Sequence, residues 1–360
     1  MSEHPVQKSH RTPGRAAGFN PDIRFDRITT EAVHDGWDRD EERPVLRTQV
    51  TEEQIRKVIA RNTSPDLSFD RSINPYRGCE HGCIYCFARP SHAFLGLSPG
   101  LDFETKLIAR PNAAERLRAE LSNPRYCPAM MGIGTNTDPY QPIEKDRGIM
   151  REILTVLRDF NHPVGIVTKG TLIERDVDIL AEMAAKGLTR VGISVTTLDP
   201  KTSRAMEPRV PLPAARLRTI RRLTDAGIPV RVMVSPVIPA LTDHELEAIL
   251  GAAADAGAVA ASSIILRLPL EVATLFKDWL AEHYPDRAAR VMGRVRELHG
   301  GKEYDPAFGK RMVGQGAWAA MMQQRFKLAT RKLGLDRSLP PLRTDLFAKP
   351  PQAGDQLALF

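Results

Sequence analysis

From about residue 70 to residue 270, short apolar runs alternate with stretches of helical period, and this repeat restricts the chain to folds assembled from βα units. Strand candidates lie at Ser72 to Tyr76, Met130 to Gly134, Val164 to Thr168, Val191 to Thr196, Val230 to Ser235 and Ser263 to Leu268. Between them, Ile149, Ile153, Leu157 and Phe160 recur at helical spacing, as do Leu217, Ile220, Leu223 and Ala226. Gly187 and the run Gly227-Ile228-Pro229 end two of these helices where the next strand begins. Serial strand and helix units build an α/β fold with a parallel sheet, either an open partial barrel or a doubly wound sheet, and periodicity does not choose between them. In both, chemistry belongs at the carboxyl ends of the strands. The flanks divide into an extended or loosely packed arm over residues 1–45, a core over 46–270, a helical extension over 271–335 and a Pro-rich flexible tail over 336–360.

With 360 residues and 42% hydrophobic content the chain can bury its own core. No apolar run approaches the roughly 18 residues of a membrane span, and Met1 to Pro5 lead into no secretory stretch, so a cytoplasmic protein is expected. Lys and Arg outnumber Asp and Glu by 51 to 44. Arg216, Arg218, Arg221 and Arg222 crowd one predicted helix, and such a face suits nucleic-acid phosphates or, equally, simple solvation.

Three of the four cysteines fall within eight residues, in Cys79-Glu80-His81-Gly82-Cys83-Ile84-Tyr85-Cys86. That distribution does not suit a disulfide framework. Three thiolates at this spacing can hold a 4Fe-4S cluster and leave one iron without a protein ligand, open to a substrate. Other readings stay open: a zinc site completed by His81 or Cys127, a dithiol pair of Cys83 and Cys86, or inert buried thiols.

The Cys-x3-Cys-x2-Cys motif, with Tyr85 before the last cysteine, is similar to the signature of the radical S-adenosylmethionine superfamily. Four further segments resemble its spore photoproduct lyase-like branch, also called DNA repair photolyase-like, in an uncharacterised bacterial subfamily. They are residues 72–79, Cys86-Phe87-Ala88-Arg89-Pro90, residues 134–144, and Val167-Thr168-Lys169. The resemblance implies a partial (β/α)6 barrel over 46–270 and a 4Fe-4S cluster on Cys79, Cys83 and Cys86. It further implies reductive cleavage of S-adenosylmethionine to a 5′-deoxyadenosyl radical that abstracts hydrogen. By the same resemblance Tyr85, Thr137, Lys169 and Ser194 bind S-adenosylmethionine, although Tyr85 also reads as a core tyrosine. Thr135, Asp138 and Thr196 are hydroxyls and a carboxylate that suit the barrel mouth, whereas Asp138 and Glu144 also read as helix caps.

One departure stands out. Spore photoproduct lyases carry a hydrogen-donating cysteine where this chain has Thr135, and a hydroxyl is a poor hydrogen-atom donor. Cys127 lies before the strand and reads as a packed thiol.

The terminal Gln356-Leu357-Ala358-Leu359-Phe360 resembles the peptide by which bacterial repair proteins dock on the sliding clamp, or else is an apolar end that folds back. The expectation is therefore an iron-sulfur, lyase-like radical enzyme acting on nucleic acid, with DNA lesion repair as its setting and Arg216 to Arg222 meeting phosphates. A low-potential donor such as flavodoxin or ferredoxin would supply its electrons. The alternatives are the same chemistry on RNA, a peptide or a small metabolite, and a noncatalytic zinc-containing adaptor on the clamp.

Overall fold

Strands sandwiched between covering helices and a filled interior must be apolar on both faces, and the Val- and Ile-rich runs meet that demand. The computed structural model describes residues 12–25 and 46–351. Its strands are β1 (Gln49–Glu52), β2 (Ile59–Arg61), β3 (Arg71–Ile73), β4 (Tyr76–Arg77), β5 (Lys106–Ala109), β6 (Met131–Ile133), β7 (Val164–Thr168), β8 (Thr189–Ser194), β9 (Val230–Val237) and β10 (Ala260–Ile265). The main sheet runs β10-β9-β8-β7-β6-β3-β2, parallel from β3 to β10, with β2 antiparallel on the β3 edge. Neighbours follow chain order without reversal. A doubly wound sheet needs a switch point, and none exists here, so the fold is the open partial barrel.

The covering helices are the ones the periodicity locates. Helix Ile149–Asp159 buries Ile149, Met150, Ile153, Leu154, Val156 and Leu157, each such side chain contributing about 1.5–3 kcal/mol relative to exposure. The first strand stops at Ile73, short of the expected Tyr76, because Pro75 has no N–H to donate to a ladder. Tyr76 and Arg77 pair instead with β5 in a small second sheet of order β1-β5-β4. The last strand also lies earlier than expected, over Ala260–Ile265, so Arg267 falls in the loop at the carboxyl edge.

Beyond the barrel, helices Glu271–His283, Pro285–Leu298 and Gly316–Leu333 form the C-terminal extension. The first two build a second apolar core, in which Phe276, Trp279 and Val291 join Ile84 and Tyr85 of the cysteine loop. Residues 12–25, within the stretch expected to be loose, pack closely on that loop. Arg15 donates to the Glu104 carbonyl at 2.8 Å, and Ala16 and Ala17 donate their N–H groups to the Glu104 carboxylate at 3.1 and 3.0 Å. The beginning of the Pro-rich tail is likewise anchored: the Phe347 ring lies 5.6 Å from Tyr126 and 6.1 Å from Phe160. The terminal peptide Gln356 to Phe360 lies outside the described residues. Among the described residues no helix is long and apolar enough to cross a membrane.

Candidate active site

The parallel strands β3 and β6 through β10 place the loops that follow them on one edge, and the sequence-predicted residues gather there. The cysteine loop leaves β4 through Gly78, whose φ of +74° L-residues seldom adopt, and turns again at Gly82, with φ +64°. A Cβ on Gly82 would stand 2.7 Å from Glu104 Oε2, so only glycine fits. Within the loop Gly82 N–H donates to the Cys79 carbonyl, and Cys86 N–H to the Cys83 carbonyl, both at 3.2 Å. The three cysteines thus stand on consecutive turns.

Arg89 fastens these turns from beneath. Fully buried, it donates to the carbonyls of Gly82, Cys83, Pro99 and Gly100 at 3.0–3.1 Å and to the equally buried Glu104 carboxylate at 2.5 Å. Gln141 ties the loop to β6 by accepting from Glu80 N–H at 2.8 Å. The Glu80 carboxylate in turn takes the Thr48 hydroxyl and, at 3.2 Å, Arg209.

All four cysteines are free thiols, with Cys79 and Cys83 buried and Cys86 partly exposed. Burial pushes the Cys79 thiol up, with Asp138 adding to the effect, and pushes Cys83 up against the opposing pull of Lys169. Deprotonation of such thiols is coupled to metal binding. Three unpaired thiols on separate turns suit an iron-sulfur cube, in which each meets a different iron. A single zinc ion is poorly served. Among the described residues no three His, Cys, Asp or Glu side chains are placed to hold one metal ion. The two candidate fourth ligands also look elsewhere: Cys127 is exposed at the amino end of β6, opposite the loop, and His81 Nδ1 faces Asp138 Oδ2 at 3.3 Å.

Asp138 is a tie between loops. It accepts from Thr168 Oγ1 at 2.6 Å, Lys169 N–H at 2.7 Å and Tyr140 N–H at 2.9 Å. Burial acts to raise its carboxyl, but His81 and these donors outweigh it and hold the pKa near 2, to which it is lowered. Glu144 accepts from Tyr76 OH at 2.5 Å, Arg175 at 2.6 Å and Met150 N–H at 3.1 Å, the last at the start of helix Ile149–Asp159. Its pKa is raised, because burial exceeds the effect of those donors.

Of the residues predicted to bind S-adenosylmethionine, Tyr85 and Lys169 come together, with Lys169 Nζ 5.8 Å from the centre of the Tyr85 ring. Tyr85 OH donates to the buried Glu207 carboxylate, which also takes the Thr196 hydroxyl at 2.8 Å and Arg216 at 2.5 Å. Burial, then the neighbouring Glu207, pushes the Tyr85 phenol up, while Glu207 itself is lowered: burial opposes ionisation, but Arg216 and Lys169 prevail. Ser194 is buried at the end of β8, its carbonyl taking Arg216 at 2.9 Å. Thr137 is buried and donates its hydroxyl to the Tyr76 carbonyl at 3.0 Å, so only its lone pairs remain for a ligand. Thr135 is half-buried just past β6.

For Arg216 the expectation of phosphate contact is corrected here, whereas Arg218 and Arg222 stay exposed. Arg216 is fully buried among Ser194, Ser203 and Glu207; Arg222 pairs with Glu174, and Arg221 donates to the Asp255 carbonyl. The register carried a signal, since Arg216, Ile220 and Leu223 share one helical face. Arg216→Gln should therefore lower stability by about 3–5 kcal/mol, because it breaks a buried ion pair, whereas the exposed Arg218→Gln should stay within about 0.5 kcal/mol. Denaturant titration of both variants checks the contrast. Glu207, Glu104 and Arg89 carry no sequence signal of their own, being single charged residues whose pairing is set by the fold rather than by helical or strand spacing.

The pattern of the radical SAM superfamily matches residues 73–253. An uncharacterised protein of Mycobacterium tuberculosis is 37% identical over 289 residues, covering 80% of this chain and 82% of that one. Another from Methanocaldococcus jannaschii is 25% identical over 214 residues, 59% of this chain and 76% of the other. Among solved structures, a spore photoproduct lyase variant aligns with TM-score 0.57 at 14% identity, covering 79% of each chain. The lyase complexed with dinucleoside spore photoproduct aligns at TM-score 0.56 and 15% identity, over 79% of this chain and 78% of that one. A related variant was solved with bound AdoMet and the same dinucleoside.

Proposed function

Because this chain belongs to the radical SAM superfamily, and so binds a 4Fe-4S cluster and S-adenosylmethionine, we propose that it abstracts hydrogen from a nucleic-acid substrate in a lyase-like reaction of DNA lesion repair. When bound, the cluster and S-adenosylmethionine supply a 5′-deoxyadenosyl radical. Cys79, Cys83 and Cys86 are the proposed cluster ligands, held in place by Arg89 and Glu104. Tyr85 and Lys169 form the proposed wall for S-adenosylmethionine, with Glu207 fixing the Tyr85 ring through its phenol. Ser194 and the Thr137 lone pairs complete that set. A low-potential donor such as flavodoxin or ferredoxin supplies the electron, and the Gln356 to Phe360 peptide is the proposed sliding-clamp contact.

The observation that carries a nucleic-acid substrate is a cleft of about 490 Å³ at the carboxyl edge, between the loops after β8 and β9 and the C-terminal extension. Lys201, His244 and Arg287 line it. Its two carboxylates are already engaged: Asp199 accepts from Thr202 N–H at 2.8 Å, and Glu245 from Leu198 N–H at 2.6 Å and the Thr197 hydroxyl at 2.5 Å. These neutral donors fix the carboxylates without cancelling their charge, and Lys201 and Arg287 stand exposed beside them, where the phosphates of a nucleic-acid chain can meet them.

The test is deuterium transfer. Anaerobically reduced protein with S-adenosylmethionine is expected to form labelled 5′-deoxyadenosine from ultraviolet-irradiated, deuterated thymidine DNA and not from intact DNA. Label from every nucleic acid absent, but present with peptide or small-molecule donors, sinks the proposal. With Thr135 just past β6 and Cys127 on the opposite side of the barrel, thymine-dimer reversal has no thiol source there for its final hydrogen beyond the cluster cysteines.

A further inference from the structure

Phe87 directly follows Cys86 and is 45% exposed, at a point where the chain otherwise turns inward to Ala88 and Arg89, both buried. Its ring is half of a stack. The Arg267 guanidinium lies 4.3 Å from the ring centre. Arg267 itself stands two residues past β10, at the carboxyl edge, held between Leu266 and Leu268, each 1% exposed.

This arginine is half-buried, and among the described residues no carboxylate pairs with it. The favourable field on it comes first from the Tyr304 phenol, then from Cys86 and least from Asp66, whose carboxylate is already engaged by Arg311 Nε at 2.6 Å and Gly309 N–H at 2.8 Å. Burial pushes the Arg267 pKa down, the sign of a cation that has lost water without gaining an ion pair. Such an arrangement costs stability, and a bound anion offsets it. Stacking over Phe87 orients the planar guanidinium, a group whose N–H edge can make two parallel bonds to an oxyanion.

We propose that Arg267 and Phe87 form the substrate receptor beside the cysteine loop, with Arg267 taking a phosphodiester and Phe87 packing on the adjoining base. The inference rests on the nucleic-acid reading above and names the residues that would enforce it. Base stacking on an aromatic ring tolerates many sequences, so this pair would position the nucleotide while the lesion's own shape selects it.

Fluorescence anisotropy with a fluorescein-labelled single-stranded thymidylate dodecamer tests it on the full chain, across a salt series. Arg267→Gln is expected to weaken binding about tenfold and to lower the salt slope by about one ion. Arg267→Lys should keep the slope while losing affinity, and Phe87→Leu should lose affinity at unchanged slope. Thermal melts certify that each variant is folded. Wild-type affinity and slope in both Arg267→Gln and Phe87→Leu overturn the receptor while leaving the nucleic-acid reading standing. Loss confined to S-adenosylmethionine binding reassigns the pair to the cosubstrate and also overturns it. No binding by the wild-type chain at any salt defeats the nucleic-acid reading, and the receptor with it.

Discussion

Anaerobic reconstitution of the Cys83→Ala chain should yield nearly colourless protein, against about four irons per chain and a brown solution for the wild type. Reductive cleavage of S-adenosylmethionine should fall to background with it. The reason is coordination number. Three thiolates satisfy three irons of a cube and leave one for the cosubstrate, and removing one exposes a second iron to water and loss. Cys127→Ala is the matched control, since that thiol is exposed at the amino end of β6 and should change neither iron nor cleavage. Stoichiometric zinc in the wild type, or undiminished iron in Cys83→Ala, contradicts the assignment of the ligands.

Arg89→Ala should be the most destabilising single change in the cysteine loop, costing about 3–5 kcal/mol and roughly 5 °C in melting temperature. It strands the Glu104 carboxylate, which is fully buried, and orphans the carbonyls of Gly82, Cys83, Pro99 and Gly100 together. Glu104→Gln should cost less, because an amide oxygen in the Oε1 position still accepts from Ala17 and Arg89, losing only the Ala16 bond, while Arg89 keeps its four carbonyl partners. Differential scanning calorimetry of the metal-free chains separates this from any effect of cluster loss. Equal melting temperatures for Arg89→Ala and wild type would show that the loop does not depend on the pair.

Much of the barrel was legible before any coordinates. A period of 3.6 over Ile149–Asp159 and Val/Ile runs such as Val164–Thr168 are local properties, and helix, strand and their order follow from neighbours along the chain. The boundary errors had local causes as well. Pro75 ended the first strand early, and the buried Leu266 and Leu268 continued an apolar run beyond the last ladder bond of β10. The candidate site divided differently. Cys79, Cys83 and Cys86 announce themselves because a metal site with ligands on one loop is written in one stretch of sequence.

Charge was where sequence reading failed, and Arg216 shows why. Counted along the helix it belonged to a basic surface, yet it points inward because Glu207, an acceptor nine residues earlier, and the Ser194 carbonyl at the end of β8 meet it there. An arginine's partner is chosen in three dimensions, and nothing in the residue itself records whether an anion waits across the core or in a ligand. The same holds for Arg89 with Glu104 and, by contrast, for Arg267, whose environment among the described residues supplies a ring and no pairing carboxylate. The sequence by itself therefore determined the βα series, the cysteine motif and the chemistry that motif can support. Only the tertiary structure decided that strand order runs without reversal, that residues 12–25 pack on the cysteine loop, and which cations are spent inside the protein. Periodicity and ligand spacing act between near neighbours, whereas pairing and desolvation depend on contacts that the chain makes only when folded.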